Sequence, residues 1–207
     1  PDGKHLVTSG RGTLRVWDVQ TTKEIRTLKG RFGTVAFSPD GNRVAYTRKH
    51  NLYVRTVSNN EEKQLTKDTG DNLFNGDIDW VYAEELGVRS NYFWSPGGKE
   101  IVFLHMDETA VPAYPITDWM PTHPTVDQEK YPKVGDPNPV AKLGIADVEK
   151  GKVRWISLTD DPDTYLPRFG WVNDNVIWAE ILNRSEDKMD LYFVDAKKPL
   201  EEATPDK

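Results

Sequence analysis

Apolar residues fall along this chain in short alternating runs closed by turn residues, the period-two signature of half-buried β-strands. Two strings recur. The first is a turn of Pro-Asp-Gly character before an apolar strand. It appears as Pro1-Asp2-Gly3 before His5-Leu6-Val7, as Ser38-Pro39-Asp40-Gly41 before Val44-Ala45-Tyr46, and as Ser95-Pro96-Gly97-Gly98 before Ile101-Val102-Phe103. Asn173-Asp174-Asn175 before Val176-Ile177-Trp178 is a weaker copy. The second string is a strand that begins with Leu and alternates thereafter: Leu14 to Val19, Leu52 to Val57, Leu143 to Val148 and Leu191 to Ala196.

Four such pairs predict four units, at about 1–30, 31–68, 93–160 and 168–207, in an all-β fold of β-propeller blades that bury their faces against one another. From Pro1 to Leu14 and from Pro39 to Leu52 the step is 13 residues, the length of two short strands and a tight turn, whereas from Pro96 to Leu143 it is 47. The excess is an insertion over 106–141 that carries seven prolines, too many for a helix or an inner strand, and it is expected to be irregular. Four blades are few for a closed ring, so a partial arc of a larger propeller is expected. The chain opens at Pro1 without Met and closes on Pro205-Asp206-Lys207, and it reads as a segment of a longer protein.

The blade rhythm breaks over 75–86, NGDIDWVYAEEL, where Glu84 and Glu85 stand next to each other behind Trp80 and Tyr82. Adjacent acids are ordinary on a solvated turn. With two aromatic neighbours packed beneath a short helical turn, however, both carboxylates would be held where a cation such as an ammonium is doubly hydrogen-bonded.

The string NG-x-x-DWVY-x-EE, followed by WSP-x-G at Trp94 to Gly98, resembles the dipeptidyl peptidase IV family. Asp107-Glu108 with Val111-Pro112, then Tyr131-Pro132-Lys133, Gly135, Asn138-Pro139 and Leu143, is similar to that family's extended blade element. The resemblance is good from Phe37 to Val148 and rests on the general blade pattern elsewhere. It implies the N-terminal, eight-bladed propeller domain of a serine peptidase, capping a C-terminal α/β-hydrolase domain of the same parent chain. It further implies that Glu84 and Glu85 bind the free N-terminal ammonium of a peptide substrate, with Trp80 and Tyr82 in support. Release of N-terminal dipeptides with Pro or Ala in the penultimate position follows from the same resemblance, as do an extracytoplasmic location and a homodimer. Where the family often has three consecutive glutamates, the first position here is Ala83. The insertion over 106–141 is either the arm that joins two copies or a loop folded over its own blade. Two alternatives stay open: a protein-interaction propeller without enzymatic function, and a tripeptidyl-releasing or inactive homologue.

Composition narrows the chemistry. With 27 basic and 33 acidic residues the net charge is −6, which argues against a nucleic-acid partner. There is no cysteine, hence no disulfide, thiolate metal site or cysteine nucleophile. No apolar run reaches membrane-spanning length. No G-x-S-x-G elbow occurs, and the histidines, His5, His50, His105 and His123, have no serine partner recognisable by motif. No catalytic residue, metal site or cofactor is therefore assigned, and the segment is expected to be inactive alone. Trp94, Trp155 and Trp171 read as core aromatics and His105 as a structural histidine.

Overall fold

The computed structural model describes residues 3–10, 12–29, 33–68 and 70–198. The turn at Pro1-Asp2 and the closing residues 199–207 of the fourth unit lie outside them. The first sheet is β1 (His5–Gly10), β2 (Thr13–Asp18) and β3 (Glu24–Lys29), and the second is β4 (Val35–Phe37), β5 (Arg43–Arg48), β6 (Asn51–Thr56) and β7 (Glu62–Gln64). Both run as antiparallel meanders in chain order.

Next along the chain come β8 (Leu73–Asn75), helix α1 (Trp80–Glu84), β9 (Tyr92–Trp94), β10 (Glu100–Asp107), β11 (Ala113–Asp118), β12 (Thr125–Lys130), β13 (Val140–Asp147) and β14 (Val153–Ile156). The third sheet has β14, β13 and β10 in order. β13 fills one edge of β10 along its whole length, from Glu100 to Asp107. The other edge is shared: β9 pairs with Ile101 to Phe103 and β8 with His105 to Asp107. The last sheet, β15 (Thr164–Tyr165), β16 (Phe169–Asn173), β17 (Val176–Asn183) and β18 (Met189–Asp195), repeats this plan, with β15 and β16 both on the edge of β17 opposite β18. The inner strand is thus broken in both blades. The fourth blade bridges the break with residues 166–168, and the third inserts 76–91, including α1.

Period-two alternation explains why these strands are apolar on both faces. On β10, Ile101 and Phe103 join Ala45, Leu52 and Val54 of the second sheet in one core, while Val102, Leu104 and Met106 join Phe169, Ile177 and Ala179 of the fourth in another. On β5, Val44 and Tyr46 pack with Leu14 and Val16 of the first sheet, and Ala45 faces the third. Every core lies between successive sheets, which is how propeller blades are held, and the sheets do not close into a ring. Indole N–H groups repeat along the arc: Trp94 Nε1 donates to the Ala36 carbonyl at 3.2 Å and Trp171 Nε1 to that of Phe93 at 3.0 Å, each reaching the preceding blade.

Two expectations are corrected. The insertion is not irregular: β11 and β12 form a regular two-stranded hairpin, paired from Ala113↔Lys130 to Asp118↔Thr125. A two-stranded ribbon leaves one edge of each strand unpaired, so Pro115 is accommodated without breaking a wider sheet. Trp155 is not a core residue but 42% exposed, edge-on to Phe103 and His105 and covered by the Lys142 ammonium 4.2 Å from its ring.

Candidate functional site

The excursion over 76–91 is tied at its base to a single residue of β10. Gly76 N–H donates to the Leu104 carbonyl at 2.8 Å, and Leu104 N–H donates to the Asn91 carbonyl at 2.9 Å. Gly76 turns the chain out of β8 with φ +74°, and a Cβ there would lie 3.1 Å from both Thr47 and Tyr92 side-chain carbons, so glycine is needed for conformation and for space. Asp77, next in line, accepts a 2.6 Å hydrogen bond from the Thr47 hydroxyl and lies 3.3 Å from His50 Nδ1. That hydrogen-bonded carboxylate raises the His50 pKa.

Asp79 then caps α1. Its backbone is extended and its Oδ1 accepts from Tyr82 N–H at 3.0 Å, the standard way of satisfying a first-turn amide. Tyr82 is 1% exposed, and its hydroxyl accepts from the Leu166 N–H at 2.8 Å, in the break of the fourth blade's inner strand. Burial raises the Tyr82 pKa, so the phenol stays neutral. Trp80, partly buried, packs its ring 4.4 Å from that of Tyr131, just beyond the hairpin. The two aromatic residues expected to support the turn therefore fix it to two different neighbours.

Glu84 ends α1 and Glu85 is its C-cap residue, with helical backbone angles. Both are exposed, and neither carboxylate makes a hydrogen bond or ion pair with a described residue. Successive helical positions diverge by about 100°, so convergence of the two carboxylates on one ligand rests on their flexible side chains. The site works against local helix preference. Negative side chains are favoured at helix N-termini, yet here the first turn has none and two stand where unpaired carbonyls already concentrate negative potential. Arg89 offsets part of this by donating Nη1 to the Ala83 carbonyl at 2.9 Å. Below, a groove of about 650 Å³ runs between the third and fourth sheets, lined by Arg89, Phe93, Trp94, Arg168, Trp171 and Trp178.

Residues that sequence reasoning left without a role also gather here. Asp79, 4% exposed, has its pKa raised by burial, and its Oδ2 has no hydrogen-bond partner. Glu108, 5% exposed, is pushed up to about 7 by burial and by the charges of Asp79 and Glu129. Their chain separation hid the relationship. His105 is 7% exposed, with Nδ1 3.0 Å from Asn75 Oδ1 and a pKa lowered by burial, which suits a structural group. Among the described residues no cluster of His, Asp and Glu is arranged to hold a metal ion, and no helix is long and apolar enough to cross a membrane.

Comparison with known proteins shows the family. Residues 1–205 match the family model for the dipeptidyl peptidase IV (DPP IV) N-terminal region. The chain is 35% identical over 183 residues to a probable dipeptidyl-aminopeptidase B of Uncinocarpus reesii, and 36% over 184 residues to that of Aspergillus niger. In each case the match covers 81% of this chain and 20% of the relative. Among solved structures, Porphyromonas gingivalis dipeptidyl peptidase 4 superposes with a TM-score of 0.83 at 29% identity, covering 97% of this chain and 31% of that one. A putative dipeptidyl aminopeptidase IV from Bacteroides ovatus gives 0.74 at 26% identity, with 98% and 28% covered. The chain thus spans about a fifth of the length of the curated relatives it matches. It belongs to the dipeptidyl peptidase IV family, as part of that family's N-terminal β-propeller region.

Proposed function

We propose that this chain is the substrate-selecting propeller segment of a serine exopeptidase, and that Glu84 and Glu85 bind the α-ammonium of a peptide whose first two residues are then released. The observation that carries this reading is the pair of exposed, unpartnered carboxylates at the negative end of a helix whose other side chains anchor it. An arrangement that is unfavourable without a cation becomes favourable with one. Each charge-assisted hydrogen bond contributes about 1.5–3 kcal/mol. A fixed anion site at the chain end also measures the cut: it accepts a free N-terminus and sets the distance from there to the scissile bond. The reacting groups would come from a hydrolase domain of the parent chain, and Pro or Ala in the penultimate position is the preference that the family suggests.

The test is hydrolysis of a Gly-Pro-chromophore by the parent protein, beside its N-acetylated form and the Glu84→Gln and Glu85→Gln variants. Restriction to the free amine, lost or severely weakened in either variant, supports the clamp. Equal cleavage of the blocked substrate opposes it and favours an interaction propeller.

The hairpin of β11 and β12 supports a second, separate proposal, that two copies meet through it. It stands away from the blades with Ile116, Val126, Trp119 and Met120 exposed, the last two at 76% and 92%. A ribbon so short is poorly stable by itself and presents a contact surface.

A further inference from the structure

Helix α1 is five residues long, too short to hold its shape without tertiary contacts, so the direction of its last residues depends on what its first residues touch. Trp80 opens the helix and Glu84 closes it four residues later, one turn along the same face. The Trp80 ring packs on that of Tyr131, with centroids 4.4 Å apart. Tyr131 in turn lies 6.1 Å from the ring of Tyr114, which carries the Lys133 ammonium at 4.0 Å. This row of rings leads away from the blades. Tyr114 belongs to β11, and Tyr131 directly follows the last residue of β12. The hairpin stem between them is closed by the register pair Ala113↔Lys130, by Tyr131 N–H donating to the Pro112 carbonyl at 3.2 Å, and by the Lys130 ammonium donating to the Val111 carbonyl at 2.6 Å. Lys133 is fixed in its own turn, its N–H donating to Asp136 Oδ2 at 3.0 Å and its carbonyl accepting from Asp136 N–H at 2.9 Å. The Asp79 cap holds α1 from within its own segment and the Leu166 N–H holds it from the fourth blade, whereas the Tyr131 ring ties it to the insertion.

We propose that Tyr131 is a positioning residue for the Glu84–Glu85 turn, held in place by the stem of the β11–β12 hairpin, so that the insertion supports the proposed substrate site. The kinetic consequence rests on the ammonium-binding reading above; the effect on α1 does not. A ring pair acts through its faces and edges, and the Tyr131 hydroxyl makes no hydrogen bond with a described residue. Phenylalanine at this position therefore keeps the support, and alanine removes it. With Trp80 free to turn, the helix loses the contact that fixes its rotation. Glu84 and Glu85, whose carboxylates have no partner among the described residues, then spread over more orientations. Ordering them on a cation costs more entropy, which raises KM and leaves the chemical step unchanged.

The experiment is hydrogen exchange in the full parent chain, read separately for 79–88 and for the second-blade strands β5 and β6, together with KM and kcat for Gly-Pro-chromophore. Wild type, Tyr131→Phe, Tyr131→Ala and Tyr114→Ala are compared. Tyr131→Ala lowers protection of 79–88 roughly two- to tenfold, the value of one aromatic pair, and leaves β5 and β6 as protected as in wild type. KM rises by a similar factor with kcat unchanged. Tyr131→Phe behaves as wild type, and Tyr114→Ala shifts both quantities the same way by a smaller factor. Should Tyr131→Ala fail to fold, Tyr114→Ala, at an exposed position, carries the same reading. Unchanged protection of 79–88 in the alanine variants, equal loss in Tyr131→Phe and Tyr131→Ala, or loss spread evenly over the blades overturns the proposal. So does looser exchange with KM unchanged in a protein whose amine selectivity is lost in Glu84→Gln and Glu85→Gln. If exchange loosens as stated while those two variants leave amine selectivity intact, the ammonium reading fails and the hold of Tyr131 on α1 stands.

Discussion

The Tyr82 hydroxyl accepts a hydrogen bond from the backbone N–H of Leu166, joining the break in the third blade's inner strand to the break in the fourth's. In the third blade that break has grown into a turn carrying two carboxylates; in the fourth it remains three residues of loop. The phenol makes the second break a support for the first.

Tyr82→Phe removes the acceptor while keeping the ring among its core neighbours, so a buried N–H is left unsatisfied. The expected cost is about 1–3 kcal/mol in chemical denaturation, with weakened binding of free-amine substrates by the parent protein and little change in kcat. Unchanged stability would show that the contact does not hold the turn.

Gly144→Ala tests the packing between the second and third blades. A Cβ at this position would lie 2.4 Å from Phe103 Cζ and 2.9 Å from Trp155 Cζ3. Phe103 is fully buried, so the ring cannot swing away without disturbing its core. Overpacking of this kind costs about 1–3 kcal/mol, and a thermal melt should show it.

His50 gives a pH signature in the segment that leads to α1. Its pKa is raised first by the Asp77 carboxylate, 3.3 Å from Nδ1, against desolvation, so the folded state holds the proton more tightly than the unfolded chain. The stabilisation from this pair is complete below the unfolded value of about 6.5 and is lost as pH rises through the higher folded value. NMR titration should find the His50 pKa elevated in the native protein and returned downward in Asp77→Asn.

Replacing residues 113–130 of the parent protein by a short Gly-Ser linker should leave its blades folded and convert a dimer to monomers in analytical ultracentrifugation. A dimer that survives the deletion would assign the contact elsewhere.

The alternation of Val44-Ala45-Tyr46 and of Ile101-Val102-Phe103 made the blades legible, because a strand packed between two sheets must be apolar on both faces. The DWVYAEEL string marked the turn for the same local reasons that form it: Asp79 as cap, Tyr82 as buried anchor, and acids where a helix does not favour them. What was not legible depends on distant partners. Pro115 argued against regular structure, yet β12 supplies a partner strand that tolerates it. Trp155 was expected inside because tryptophan usually is, but it lies on the edge strand β14, where Lys142 covers only one side of its ring. Glu108 acquires its raised pKa from burial first and then from the charges of Asp79 and Glu129, which no short window contains together with it.

The measurement closest to the central claim is the pair of efficiencies for free and N-acetylated Gly-Pro-chromophore in the parent protein, with and without Glu84→Gln and Glu85→Gln. The account predicts cleavage of the free amine alone, with each substitution reducing kcat/KM roughly ten- to a hundredfold, as expected for loss of one charge-assisted hydrogen bond. Equal cleavage of the two substrates, or variants as active as wild type, would contradict it.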